Sequence, residues 1–328
     1  MKFEGFYNDI NVELFFLGLQ NEGESILVIL KCDNKIQHTL VVDSFLESDG
    51  TSPVLKILQQ KGIKEIDTLV WSHPHDDHTK GITKLMKEFE DNIGEILIPM
   101  GVDTDQSKYT KATKELLEKI NGINIANIVH KKLTRIRPIV ADTSILRDRE
   151  IKLRKVAERR YILFNIYAVS PDGNLVRNRD LRQDYNNLND FSIGLYYIVG
   201  DFILFLTSDI ENITINQLTE ETQNQMITPN ILKLPHHGSD GSLKLFDFYN
   251  KQICSHNEEV IEYIALTAYK NNKLPKEIVL KNYKTISNKI FKIDNSDGQN
   301  DPSVLLFNID ILNKKIETHK LANYVEYE

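Results

Sequence analysis

The chain has 328 residues, 41% of them hydrophobic and 27% charged, which is enough apolar material for a sizeable core and excludes disorder and fibrous architectures. With 40 Lys+Arg against 47 Asp+Glu the formal charge is −7, which argues against a protein held on nucleic acid by bulk positive charge but leaves room for a local basic groove. Two cysteines, Cys32 and Cys254, lie far apart with no CxxC spacing, so neither a disulfide framework nor a thiolate zinc site is expected, and a cytoplasmic location fits best.

At the start of the chain Glu4 and Asp9 precede any apolar run, the wrong order for a secretory signal. Short apolar bursts over Asn11 to Leu17, Ser25 to Lys31 and Thr39 to Val42 predict strands of a partly buried sheet. Pro53 to Gly62 predicts a short amphipathic helix with a glycine stop. Ile66 to Trp71 predicts a strand that delivers the chain into SHPHDDHTKG. A helix over Ile82 to Phe89, a strand over Glu95 to Pro99 and a helix over Gln106 to Asn121, closed by Gly122, are expected next. Between Lys131 and Arg160 there are 11 Lys+Arg against 4 Asp+Glu, a local +7 that leaves −14 for the rest of the chain. Strands resume over Ile162 to Val169, Phe191 to Ile198, Phe202 to Thr207, Ile231 to Leu234, Tyr263 to Leu266, Lys289 to Lys292 and Val304 to Ile309. The apolar stretch from Phe191 to Leu206 is shorter than the ~20 residues of a spanning helix and is broken at Gly200-Asp201, so it reads as a hairpin, and no membrane association is expected. No repeat or low-complexity linker interrupts the series, so the expectation is one α/β domain over residues 1–328 with a basic insertion at about 102–161.

The chemistry concentrates in His73, His75, Asp77 and His78, an HxHxDH run at the end of a predicted strand. Side chains alternate along an extended chain, so His73 and His75 point the same way and one metal can take both. If the chain then turns into a helix, Asp77 and His78 serve a second location a few Å away.

On these residues the sequence resembles the metallo-β-lactamase superfamily, the αββα hydrolases. Within it the likeness is to the soluble hydrolase domain of the bacterial DNA-uptake protein ComEC and its stand-alone relatives. ELFFLGLQNEGESILVIL, HTLVVDSF, SHPHDDHTKG, AVSPDG, NNLNDFSIGLYY, FILFLTSDI, ILKLPHHGS, NKLPKEIVL and KIFKIDNSDGQNDPSVLLFNI follow in that group's order. The resemblance implies an αββα sandwich, two packed mixed sheets with outer helices. It implies Asp209 as the carboxylate bridging two metals, and one of His236 and His237 closing the second metal's shell, with the family position favouring His237. His236 would then sit beside the metals or face substrate, and Asp43 would orient the metal loop by hydrogen bonds. Asp77 and His236 are the residues expected to act in catalysis. The sequence departs from many members in having no histidine where the first metal's shell is usually completed; Asn187, Asn189, Asp190 and Ser192 stand there. Two divalent ions are expected, Zn²⁺ or Mn²⁺ with Fe²⁺ also compatible with imidazole and carboxylate donors.

Three functions are compatible with these residues. The first is a phosphodiesterase or nuclease acting on DNA or nucleotides through water activated between two cations. The others are a small-molecule hydrolase such as a lactonase, thioesterase or phosphorylcholine-type esterase, and a non-catalytic metal-binding subunit. The basic segment has two readings, a phosphate-gripping arm that uses Arg154, Lys155, Arg159 and Arg160, or a solvated helix face. Arg177, Arg179 and Arg182 add cations before the asparagine-rich stretch, and Asn189 is a candidate substrate contact. Tyr161, Tyr185, Tyr196 and Tyr197 either stack on bases or pack within the sheets.

Overall fold

The computed structural model describes residues 3, 5–102, 109–130, 134–154, 160–182, 187–256, 259–269, 271–293, 302–322 and 325–327. One sheet runs β16 (Lys315–Ala322), β15 (Ser303–Asp310), β2 (Ile10–Leu19), β3 (Gly23–Cys32), β4 (Lys35–Val42), β5 (Ile66–Val70), β6 (Ile93–Pro99), β7 (Arg135–Ile139). The other runs β1 (Phe6–Tyr7), β8 (Ser144–Leu153), β9 (Tyr161–Ser170), β10 (Gly194–Val199), β11 (Phe202–Leu206), β12 (Ile231–Lys233), β13 (Ile261–Thr267), β14 (Ser287–Ile293), β17 (Val325–Tyr327). Both are mixed: β3 and β4 are antiparallel where β4 and β5 are parallel, and β10 and β11 are antiparallel where β11 and β12 are parallel.

Period-two alternation gives each sheet two apolar faces. Val12, Leu14, Phe16, Val28 and Leu40 meet Ile166, Leu195, Tyr197, Leu204 and Phe291 between the sheets. The opposite face of the first sheet, with Phe15, Leu17, Leu27 and Ile29, is covered by α1 (Pro53–Gln60), α3 (Ile82–Phe89) and α4 (Lys111–His130). The opposite face of the second, with Tyr196, Phe205, Leu232 and Ile264, is covered by α6 (Asn212–Gln217), α8 (Leu243–His256) and α9 (Glu277–Lys284). The layer order is helices, sheet, sheet, helices, as expected. The remaining α-helices, α2 (Asp76–Thr79), α5 (Gly173–Arg182) and α7 (Glu220–Gln225), sit in connections.

Local chemistry accounts for the ends that matter. Ser52 caps α1 by accepting from the Leu55 N–H, Pro53 takes its first position, and Gly62 just beyond it has φ +67°. Gly200, at φ +61°, turns β10 into β11 with Val199 opposite Phe202, the hairpin expected from the sequence. Two expectations are corrected. The helix expected over Gln106 to Asn121 starts later, at Lys111, and runs through Gly122 to His130 because Leu116, Leu117 and Ile120 bury one face against the sheet; Gln106 lies outside the described residues. Among its described residues the basic segment forms no helix face: they supply β7 to one sheet and β8 to the other, pairing with β6 and β9. Ile151 and Leu153 of β8 are buried while Lys152 and Arg154 are exposed, the alternation of a half-covered strand.

Tyr196 and Tyr197 are fully buried on opposite faces of the second sheet, which makes them packing residues; Tyr161 is exposed and Tyr185 lies outside the described residues. Cys32 is buried, Cys254 exposed, and both are free. Among the described residues no helix is long and apolar enough to cross a membrane.

Candidate metal centre

The chemistry collects where strands of both sheets end side by side. β5 stops at Val70, and the chain then makes a tight turn in which the His75 N–H donates to the His73 carbonyl (3.0 Å). The two imidazoles therefore converge through a turn rather than through strand alternation, with His73 Nε2 and His75 Nδ1 3.0 Å apart. Pinned by the Thr79 hydroxyl on the His75 carbonyl (2.6 Å), α2 carries Asp77 and His78 to the other side. Asp209 follows β11 and His237 follows β12 in the second sheet.

One atom ties the donors together. Asp209 Oδ2 lies 3.8 Å from His73 Nε2, 3.8 Å from His78 Nε2 and 3.8 Å from His237 Nε2. Asp77 Oδ2 lies 3.8 Å from His78 Nε2 and 3.6 Å from His237 Nε2. Two adjoining sets with no residue in common result: His73, His75 and Asp209, and Asp77, His78 and His237, each with donor atoms within 4.8 Å of one another. These separations are too long for hydrogen bonds but suit donors that share a cation at about 2.0–2.2 Å from each. The donor set fits such ions on a second count: His78 Nε2 and His237 Nε2 are buried and have no hydrogen-bond partner, a costly state unless a cation takes the lone pair. Of the two candidate histidines, His237 joins the donors. His73, His75, Asp77, His78, Asp209 and His237 are thus brought together.

Behind the donors a polar layer fixes their orientation. Asp43 accepts from the Ser72 N–H (2.7 Å) and lies 2.7 Å from His78 Nδ1, so His78 can present Nε2 to the centre. His73 Nδ1 is 3.0 Å from Ser72 Oγ and 3.1 Å from Ser208 Oγ. His237 Nδ1 lies 3.0 Å from the Thr267 carbonyl oxygen. Asp43 thereby bonds both the start of the HxHxDH turn and the ring of His78.

The electrostatics follow from burial set against charge. Burial alone would lower His78, but the carboxylates of Asp77, Asp43 and Asp209 outweigh it and raise the group to about 10 in the ion-free chain, so an ion at Nε2 would displace that proton. Burial works against the ionised forms of Asp77 and Asp209 too, yet His78 and His237 hold the first, and Lys233 and His237 the second, below the usual carboxylate range. His73 and His75 are lowered, chiefly by burial, and remain neutral donors.

His236 stands beside the donors rather than among them, its ring centroid 6.3 Å from that of His237. Its Nδ1 lies 2.7 Å from Glu211 Oε1, and Glu211 is pushed down to about 2 by that hydrogen bond against its burial, with further help from Asn189 and Asn187. Asn189 is buried and donates to Glu211 Oε1 (3.0 Å), while Asn187 donates to Glu211 Oε2 (3.0 Å). The asparagine-rich stretch therefore braces the Glu211–His236 pair. Arg179 pairs with the buried Asp190 at 2.6 Å, and Arg177 and Arg182 are exposed.

Of the expected phosphate-gripping arm, the two described residues, Arg154 and Arg160, are not brought to this site. Arg154 and Arg160 flank the β8–β9 connection, with Leu153 N–H donating to the Arg160 carbonyl, and β9 then runs ten residues to Ser170 at the end where Asp209 lies. Strand rise puts that distance at roughly 30 Å. Lys155 and Arg159 lie outside the described residues. Sequence reasoning missed Glu24, Lys233, Glu211, Ser72 and Ser208. Lys233 alone carried a signal, a lysine set between apolar neighbours in ILKLP.

A sequence profile of the metallo-beta-lactamase superfamily matches residues 26–160, which include β3 from Ile26 onward and the whole HxHxDH turn. With the two mixed sheets between helix layers already traced, that match decides the fold. The chain has the metallo-β-lactamase fold. No curated protein matches the sequence significantly. Among solved structures, a diphosphatase from the PhnP family is 13% identical, with a TM-score of 0.42 over 85% of this chain and 94% of its own. The metallo-beta-lactamase fold protein YhfI from Bacillus subtilis is 13% identical, with a TM-score of 0.43 over 86% and 95%. Igni18, a metallo hydrolase from the archaeon Ignicoccus hospitalis, is 10% identical, with a TM-score of 0.35 over 77% and 81%. In this metallo-β-lactamase fold the donors sit at the strand ends common to both sheets.

Proposed function

We propose that the protein is a metal-dependent hydrolase that cleaves phosphodiester bonds in DNA or nucleotides. The observation that carries the hydrolytic reading is Asp209 Oδ2, a single carboxylate oxygen equidistant at 3.8 Å from imidazoles of both donor sets. Two divalent ions, Zn²⁺ or Mn²⁺, held by His73 and His75 on one side and Asp77, His78 and His237 on the other, would supply an activated water and neutralise charge on the attacked group. Asp43, Ser72 and Ser208 hold the imidazoles in place, and the Glu211–His236 pair offers a positioned donor beside the reacting group. The phosphodiester, and DNA in particular, is suggested by the likeness to the ComEC hydrolase domain.

A second reading, a small-molecule ester or lactone hydrolase on the same centre, gains from the placement of Arg154 and Arg160 at the far end of β9, where they give a long polyanion no grip at the site. One experiment separates the two. Wild type of known metal content, His75→Ala and Asp77→Ala are assayed on single- and double-stranded DNA, RNA, cyclic dinucleotides, bis-p-nitrophenyl phosphate and a lactone. Phosphodiester turnover is expected, falling at least a hundredfold in either variant. A wild type that holds metal, ignores every phosphodiester and opens the lactone would sink the first reading in favour of the second.

A further inference from the structure

Lys233 is a lysine in the middle of the molecule. It ends β12, two residues after Ile231, whose side chain packs between the sheets, so period two turns Lys233 to the same side, and it is 1% exposed. Its three N–H donors are all placed. Nζ lies 2.6 Å from Glu24 Oε1, 2.8 Å from the Ser208 carbonyl oxygen and 3.3 Å from Asp209 Oδ1. Glu24 comes from β3 in the opposite sheet, and its other oxygen is 3.8 Å from His237 Nδ1. A buried ammonium is retained only with such partners, and removing one leaves the others uncompensated.

The asymmetry at Asp209 is the informative part. Oδ1 accepts from Lys233, and Oδ2 faces His73, His78 and His237. A carboxylate free on both oxygens could swing, or give one oxygen to each ion. With Oδ1 engaged by a cation, both donor sets are left to share Oδ2. Glu24, which groups with His78 and Asp209 as a possible donor, has Oε1 occupied in the same way and serves as the counter-ion of Lys233.

We propose that Lys233 is a positioning residue that fixes Asp209 so that the two donor sets share its Oδ2 alone. This rests on the two-ion reading of the centre. Groups that orient ligands in this way typically alter metal affinity by 10- to 100-fold when removed.

The test is a Co²⁺ titration of chelator-stripped protein, followed by calorimetry and by visible absorption, which reports cobalt coordination. Wild type is expected to take two ions. The double variant Glu24→Gln/Lys233→Gln removes both charges and lets two amides bond each other, so no lone charge is left in the core. It is expected to bind the weaker ion 10- to 100-fold less tightly and to shift the cobalt bands, while Glu24→Gln alone, which keeps the Lys233 ammonium on Asp209, is expected to loosen that ion by clearly less than the double variant. Lys233→Arg keeps the charge but replaces the single ammonium by a planar fork, and is expected to loosen the weaker ion in the same direction, which covers the case of a double variant that does not fold. Wild-type affinity and spectrum in the double variant, or in Lys233→Arg where the double does not fold, overturn the proposal. A Glu24→Gln protein as weak as the double would do the same, by showing that Lys233 acts only through Glu24. A wild type that binds fewer than two ions overturns the two-ion reading itself, a different result from a normal wild type with unaffected variants.

Discussion

His38 and His78 are both completely buried, and their protons behave in opposite ways. His38 touches Thr68 Oγ1 (3.3 Å) and the Tyr197 hydroxyl (3.4 Å), and with no carboxylate to answer it burial lowers the group to about 3. His78, among three carboxylates, rises to about 10. An unfolded chain protonates His38 near pH 6.5, whereas the folded chain resists until about 3. The unfolded state therefore binds more protons in that window, and the stability that neutral His38 contributes is whole above 6.5 and lost as pH falls, at up to about 1.4 kcal/mol per pH unit. Urea unfolding at pH 7, 6, 5 and 4 is expected to show a shallower acid decline in His38→Gln than in wild type; parallel curves would remove His38 from the account. At this scale the sequence was most legible where the partners are neighbours: His73, His75, Asp77 and His78 lie within six positions, and their chemistry can be read from spacing. Lys233 and Glu24, 209 positions apart, and Glu211 with Asn187 and Asn189 became legible only once strand pairing brought them together.

Two glycines in different elements predict opposite outcomes for the same substitution. Gly23 opens β3 at φ +147°, and a Cβ there would sit 2.1 Å from the Asp77 carbonyl oxygen and 2.5 Å from Phe45 Cβ. Gly23→Ala must push α2 away from β3 and is expected to cost about 3 kcal/mol together with bound metal, read by denaturant unfolding and elemental analysis. Gly122 lies inside α4, exposed, with nothing within 4 Å of the place a Cβ would occupy. Gly122→Ala is expected to stabilise by about 0.5–1 kcal/mol in the same unfolding measurement. Gly122 also explains why α4 was expected to stop too early: a glycine after an amphipathic run is a good stop signal, but burial of Leu116, Leu117 and Ile120 outweighs a cost of about 1 kcal/mol. In β8, the density of Arg and Lys obscured an alternation that Ile151, Lys152, Leu153 and Arg154 already displayed. The centre's backbone was hidden for another reason. Asp43, Ser208, His236 and His237 all adopt positive φ, a conformation non-glycine residues take at a cost, and nothing in their identities announces it.

Across the whole molecule the order of elements was readable and the distribution of charge was not. The series of short strands and helices predicted an α/β chain, the resemblance to the metallo-β-lactamase superfamily implied two sheets between helix layers, and that is the arrangement found. The +7 of residues 131–160 was equally plain, but only the register of β8 on β9 shows that Arg154 and Arg160 lie at the end away from the donors. Because the donors come from both sheets, ions bound there add to the stability of the native state alone, by about 4 kcal/mol at a free concentration a thousandfold above Kd. For a chain of this size that corresponds to a Tm shift of several degrees. Thermal unfolding with and without a chelator is expected to show this loss, with recovery when Zn²⁺ or Mn²⁺ is returned; an identical Tm in both would separate the donors from any bound ion. The same division of donors also sets an order in time. The HxHxDH turn leaves the ribosome with the first quarter of the chain, whereas His237 follows more than 150 residues later. A nascent chain can hold an ion at His73 and His75 only as an open peptide would, and the enclosed centre cannot form until β12 has been made and has paired beside β11. Completion of the enclosed centre therefore waits on β12, at a point when β13, β14 and β15 are still to be made.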